Sequence, residues 1–210
     1  MTDMEPILRK IGVIPVVKLT DLSLSEKLAD AYCAGGIPCA EITFRAAGAD
    51  EVIRRMRAHR PEMLVGAGTV LTVAQAKAAI DAGAQFIVAP GTNPKVVEYV
   101  LSRDIPMLPG VCTPTEVESA MNFGLKTLKF FPAEAAGGVA MLKAMSAPYA
   151  GIHFVPTGGV SLKNLAEYLA LPCVTACGGT YMAAQKLLDA QDFAEIERLC
   201  RESAAIAANR

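Results

Sequence analysis

Leu64-Val-Gly-Ala-Gly-Thr69, Phe86-Ile-Val-Ala-Pro90 and Met107-Leu-Pro-Gly-Val111 are short apolar runs whose last residues fall 21 positions apart. Each is followed by a turn or cap signal and then by a helical pattern. Working outward, similar runs occur at 13–17, 39–44, 127–132, 153–158 and 174–179. From Val17 through Phe44, Thr69, Pro90, Val111, Pro132 and Gly158 to Gly179, the strand ends are spaced by 27, 25, 21, 21, 21, 26 and 21 residues. A period this short and regular predicts one strand–helix unit repeated eight times.

The helix starts agree with that reading. Ser23 and Glu26, Thr72 and Gln75, and Thr113 and Glu116 have capping-box spacing, the last pair with Pro114 at the first helical position. Asn93-Pro94 and Ser161 give similar starts. Ala74, Ala78, Ala79 and Ala82 mark a small-residue helix able to pack closely on a sheet, and Val96, Val97, Val100 and Leu101 form an apolar stripe. Strands alternating with helices predict a parallel sheet. Eight units fit a closed (β/α)8 barrel, the TIM barrel, better than an open doubly wound sheet with a dinucleotide loop. The expectation is one α/β domain over 1–210 with extra terminal helices. These lie at 4–11 and at 192–205, where Phe193, Ile196 and Leu199 share one side.

Composition narrows the function. Of 210 residues, 52% are apolar, enough for a sizeable core without disulfides or metal. Lys and Arg number 20 against 21 Asp and Glu, so a net charge of −1 offers no footprint for nucleic acid or an anionic membrane. Aromatics at 6% and the absence of Trp argue against stacking platforms for single strands. Two histidines, His59 and His153, without H-E-x-x-H spacing disfavour a histidine-rich metal site. Cys33, Cys39, Cys112, Cys173, Cys177 and Cys200 form no C-x-x-C pair and read as free thiols of a reducing compartment. Met1-Thr-Asp-Met-Glu-Pro6 lacks the basic start and apolar stretch of a leader, and no apolar run approaches a membrane span, so a cytoplasmic protein is expected.

In such a barrel the chemistry lies at the C-terminal ends of the strands. Glu41, Thr43 and Arg45 alternate with Ile42 and Phe44, which places the three polar side chains on one strand face. That face is either the interior, with a guanidinium above a carboxylate, or the exposed side of an ordinary edge strand. Lys129 stands among apolar neighbours in mid-strand, where lysine is rarely buried unless paired or functional. An amine held in an apolar interior favours its neutral form, which can attack a carbonyl to form a Schiff base; the other reading is a structural ion pair with Glu41 or Glu134. Lys126 begins the same strand, at the end away from the chemistry. Thr157-Gly-Gly159 and Gly178-Gly-Thr180 close the last two strands, where backbone amides, joined by the start of a helix near Thr180, can hold an anion or merely make tight turns. Gly66-Ala-Gly-Thr69 can present Thr69 and nearby amides to a carboxylate, or be a tight turn. The Arg54, Arg55 and Arg57 run beside His59 reads as a solvated face.

Glu41-Ile-Thr-Phe-Arg45, Gly66-Ala-Gly-Thr-Val70, Lys129-Phe-Phe-Pro-Ala-Glu134, Thr157-Gly-Gly159 and Gly178-Gly-Thr180 occur in an order and spacing that resembles the bacterial 2-keto-3-deoxy-6-phosphogluconate (KDPG) / 4-hydroxy-2-oxoglutarate (KHG) aldolases. The resemblance covers nearly the whole chain. It implies a class I, Schiff-base aldolase on a (β/α)8 barrel, a homotrimer of the Entner–Doudoroff pathway that needs no cofactor and no metal. Under it Lys129 is the Schiff-base residue and Glu41 the proton shuttle. Arg45 and Thr69 hold the substrate carboxylate, Pro90 and Phe131 line the pocket, and Thr157, Gly158, Gly159, Gly179 and Thr180 form the phosphate end. Thr180-Tyr181 stands where the best-known members have Ser-Trp, which keeps the hydroxyl donor but adds a methyl group. The aldolase of the galactonate analogue lacks the Thr-Phe-Arg ending. The same glycine pairs would also suit a sugar-phosphate isomerase or lyase without an imine, or a barrel that binds sugar phosphate without catalysis.

Overall fold

A computed structural model describes residues 4–210; Met1, Thr2 and Asp3, where the segment read against a leader begins, lie outside them. Among the described residues there are nine strands: β1 (Val13–Val17), β2 (Cys39–Thr43), β3 (Leu64–Gly68), β4 (Ile87–Val88), β5 (Met107–Leu108), β6 (Gly110–Val111), β7 (Thr127–Phe130), β8 (His153–Pro156) and β9 (Cys177–Gly179). Each of the eight predicted segments contains a strand. The fifth is divided at Pro109, whose ring nitrogen has no hydrogen for a ladder bond, although its carbonyl still accepts from the Lys129 amide at 2.9 Å.

The strands form a curled six-stranded parallel sheet, ordered β5-β4-β3-β2-β1-β9, and a second parallel sheet, β6-β7-β8. Only Pro109 separates β5 from β6 along the chain. At the other edge, bridges between Phe154 and Val174 and between Thr157 and Gly178 connect the two sheets. Every residue of β1 and β2 is buried, as expected of parallel strands covered on both faces.

Helices follow the strands, and their starts largely match the sequence reading. Thr72 with Gln75 and Thr113 with Glu116 form reciprocal capping boxes, and Asn93 caps Pro94–Leu101. Each such cap contributes about 1 kcal/mol. Two starts differ. Asp21, not Ser23, is the cap: its carboxylate accepts from the Ser23 amide at 2.9 Å and starts a 3₁₀ turn, after which the α-helix runs Ser25–Ala34. A charged acceptor at the positive helix end outcompetes a hydroxyl two residues on. At Ser161 the Asn164 side chain folds back to accept the Ser161 amide, and the helix begins only at Leu165. In the helix Val73–Asp81 the packed face runs through Ala76 and Ala79 to Ala82, while Ala74 is exposed and Ala78 half-buried. Val96, Val97 and Val100 are buried as predicted.

The terminal helices are Glu5–Ile11 and Phe193–Ala208, the second capped by Asp192. Ile196 is fully buried, with Phe193 and Leu199 packed partly against the core. The last helix lies close on Ser25–Ala34: a Cβ on Gly35 would fall 2.4 Å from that of Cys200. All six cysteines are free, and burial pushes the Cys200 thiol up to about 12. Among the described residues no helix is long and apolar enough to cross a membrane, and no group of His, Cys, Asp and Glu is arranged to hold a metal.

Candidate active site

β2 and β7 lie in different sheets and pair with no common strand. Nevertheless the Lys129 Nζ lies 3.3 Å from the Glu41 Oε1, so the two side chains meet across the space enclosed between the sheets. Both residues are buried, Lys129 being 5% and Glu41 2% exposed. Glu134, the other partner considered for Lys129, instead accepts a hydrogen bond from the Tyr168 hydroxyl. A desolvated charge pair of this kind is costly to assemble and is weak evidence of a purely structural role. It puts an amine and a carboxylate side by side in a buried position.

Neighbouring residues make room for the pair. β3 runs beside β2 with Gly66 opposite Glu41 and Gly68 opposite Thr43. A Cβ on Gly68 would stand 2.1 Å from the Glu41 Oε1, and one on Gly66 would run into the Phe86 ring at 2.4 Å. The glycines of Gly66-Ala-Gly-Thr69 therefore belong to a strand and accommodate a carboxylate and an aromatic ring, a function the turn reading missed. The Thr43 hydroxyl donates to the Val17 carbonyl at 2.7 Å and ties β2 to β1.

Above this pair the strands end in a polar rim. Thr69, directly after β3, has φ +56°, an unfavourable conformation for a β-branched residue and the kind of local strain that gathers at working sites. The Phe131 ring centroid lies 5.3 Å from the Lys129 Nζ. β7 ends at Phe130, and Phe131 stands in the following turn. Pro90 is half-buried after β4, and a Cβ on Gly110 would fall 2.0 Å from its carbonyl oxygen. Arg45 requires a correction. β2 stops at Thr43 because the chain turns toward the helix Ala49–His59, so Arg45 is an exposed turn residue at the rim and does not continue the Glu41 strand face. It makes no ion pair among the described residues.

The two glycine pairs also separate. Gly158 and Gly159 form a turn with φ of +98° and +87°. The Thr157 and Gly158 carbonyls accept from the amides of Ala133 and Glu134, at 2.8 and 3.0 Å. Gly178 and Gly179 instead lie within β9, opposite Ile14 and Pro15, so they are not a turn. Thr157 is buried beside Gly178, where a Cβ would lie 2.3 Å from its hydroxyl oxygen. Thr180 is exposed and stands at the N-cap of a short 3₁₀ helix, Tyr181–Ala183, after which an α-helix runs Gln185–Asp189. The Tyr181 hydroxyl is anchored 2.5 Å from the Ser203 Oγ on the last helix, and burial pushes its pKa up to about 12.

Lys126, His59 and the arginines of the Ala49–His59 helix have other surroundings. Lys126 is exposed at the start of β7, and His59 sits 2.9 Å from Asp30. Arg54 and Arg55 pair with Glu51. Arg57 is less free than a solvated face implies, since it donates to the carbonyls of Pro61 and Met63 at 2.8 and 3.0 Å.

Fold and site define an α/β protein with parallel sheets whose enclosed lysine–carboxylate pair is suited to carbonyl chemistry. Residues 4–199 match the family model described as KDPG and KHG aldolase. The 2-dehydro-3-deoxy-phosphogluconate aldolase of Treponema pallidum is 47% identical over 95% of this chain and 95% of its own. The KHG/KDPG aldolase of Escherichia coli is 40% identical over 96% and 95%. A crystal structure of KDPG aldolase from Legionella pneumophila, with pyruvate captured as a covalent carbinolamine, superposes with a TM-score of 0.92 at 36% identity, covering 95% of this chain and 97% of that one. The chain belongs to the KDPG and KHG aldolase family. It is accordingly an aldolase, a carbon–carbon lyase.

Proposed function

We propose that this protein cleaves 2-keto-3-deoxy-6-phosphogluconate to pyruvate and glyceraldehyde 3-phosphate through a Schiff base on Lys129, and cleaves 4-hydroxy-2-oxoglutarate to pyruvate and glyoxylate by the same route. The observation that carries this reading is the buried contact between the Lys129 Nζ and Glu41 across the two sheets. The neutral amine adds to the C2 ketone, and loss of water from the carbinolamine leaves a protonated imine. Glu41 takes the proton of the C4 hydroxyl; the C3–C4 bond breaks, its electron pair moves toward the iminium, and the aldehyde departs. The enamine is protonated at C3, and water then releases pyruvate and restores the amine.

Arg45, at the rim, reaches in to hold the carboxylate with two parallel hydrogen bonds and so sets the ketone near the amine. Thr69 adds a hydroxyl to that grip, while Pro90 and Phe131 form the apolar wall. The Gly158-Gly159 turn, with Thr157, Gly179 and Thr180 around it, receives the phosphate. The sheets act as one closed (β/α)8 barrel, a single domain over 1–210 that works as a homotrimer in the cytoplasm without cofactor or metal.

Incubation with pyruvate followed by borohydride reduction tests the reading. A mass shift confined to the peptide bearing Lys129 is expected. Lys129→Ala should abolish both the adduct and pyruvate release in a lactate-dehydrogenase-coupled assay. No adduct, or one on Lys126, would overturn the assignment. The same assay ranks the phosphorylated gluconate substrate against its galactonate epimer and the hydroxyoxoglutarate.

A further inference from the structure

Tyr168 and Glu134 lie outside the reacting centre, yet they are joined to the Gly158-Gly159 turn. Tyr168 is fully buried in the helix Leu165–Leu169, the first helix after that turn, and its hydroxyl donates to the Glu134 carboxylate. Glu134 is exposed at the rim, and its side chain packs on the turn: a Cβ on Gly159 would fall 2.4 Å from its Cγ. Its amide donates to the Gly158 carbonyl at 3.0 Å, and the Ala133 amide donates to that of Thr157. The turn's carbonyls are thereby drawn toward residues 133–134. The Gly159 and Val160 amides donate to no described residue.

We propose that Tyr168 is a positioning residue for the phosphate end: by holding the Glu134 side chain against Gly159 it fixes the turn that offers its amides to the phosphate. The proposal rests on the phosphate role assigned to that turn above. The hydroxyl has a second effect, because an untethered carboxylate at the rim would move through the space where a dianion binds and repel it. Burial, and after it the hydrogen bond to Glu134, hold the Tyr168 phenol above its ordinary range, so it remains a donor at neutral pH.

Tyr168→Phe removes the hydroxyl and keeps the ring. The expected result is about a tenfold rise in KM for the phosphorylated substrate, equivalent to about 1.4 kcal/mol. KM for 4-hydroxy-2-oxoglutarate and the rate of borohydride trapping with pyruvate, neither of which has a phosphate, should stay within about twofold. Glu134→Ala, at an exposed position, should reproduce the KM change whether or not Tyr168→Phe folds. Glu134→Gln retains an acceptor for the phenol and should restore KM to within about twofold. A Tyr168→Phe protein with lowered melting temperature and unchanged KM, or with KM raised equally for both substrates, overturns the clamp. If the unaltered protein traps pyruvate but is indifferent to the substrate phosphate, the phosphate role of the turn fails instead.

Discussion

At Gly158 and Gly159 the backbone turns through φ of +98° and +87°, whereas Gly178 and Gly179 continue as ordinary strand residues opposite Ile14 and Pro15. In sequence the two pairs look alike, each closing one of the last two strand–helix units. The first pair is glycine because few other residues accept its backbone angles, and at Gly159 a Cβ would in addition fall 2.4 Å from the Glu134 Cγ. The second is glycine because its neighbours need the space, Thr157 beside Gly178 and the Tyr181 ring 2.6 Å from a Cβ on Gly179. Gly66 and Gly68 belong with the second kind. In this protein, glycine in strands makes room around the Lys129–Glu41 pair and its neighbours, and glycine in the Gly158-Gly159 turn supplies backbone angles first.

Substitution to alanine separates the two kinds. The largest effect is expected at Gly68, where the added methyl competes with the Glu41 carboxylate for one position. Gly68→Ala should lower kcat about 10²-fold or more, within the range for loss of a general acid–base group, as read in the coupled assay. Gly159→Ala tests the turn. Left-handed geometry alone costs an alanine about 1–2 kcal/mol, so the melting temperature should fall by about 2–8 °C or more, the added methyl also displacing the Glu134 side chain. Its KM for phosphorylated substrate should rise while pyruvate trapping persists. The smallest effect is expected at Gly91, which has an unstrained φ and open space around its Cβ position. There Gly91→Ala should stabilise by about 0.4–1 kcal/mol, seen as a small rise in melting temperature. If Gly68→Ala kept full kcat, or if Gly159→Ala behaved like Gly91→Ala, the division between room-making and turn-making glycines would fail.

Much of this was legible from the chain because the signals are local. All eight strand positions follow from the spacing of apolar runs. The boxes at Thr72 and Thr113 form because both partners lie within one helical turn. Lys129 and Glu41 stood out as ionisable residues set among apolar ones, and burial confirms that contrast. The failures are of a different kind. Alternation carries on to Arg45 although β2 ends at Thr43, because side-chain period does not announce where pairing stops. The cap passed from Ser23 to Asp21 through competition between two good acceptors. Pro109 lies inside an apolar run that reads as one strand, yet it divides that strand into β5 and β6. The Tyr168–Glu134 bond links residues 34 positions apart and has no sequence signature.

The sequence by itself determined the repeating unit, the parallel sense of its strands, the two ionisable residues in apolar strands and the family. These follow from strand periodicity, cap chemistry and motif order, all of which act over a few residues or are read directly. Only the tertiary structure decided that Glu41 faces Lys129 rather than solvent, that Gly68 is the space this requires, and which glycine pair is a turn. Glu41 and Lys129 are 88 positions apart on strands of different sheets. Their meeting depends on how twisted sheets curl toward each other, a property of the assembled fold and not of any local segment.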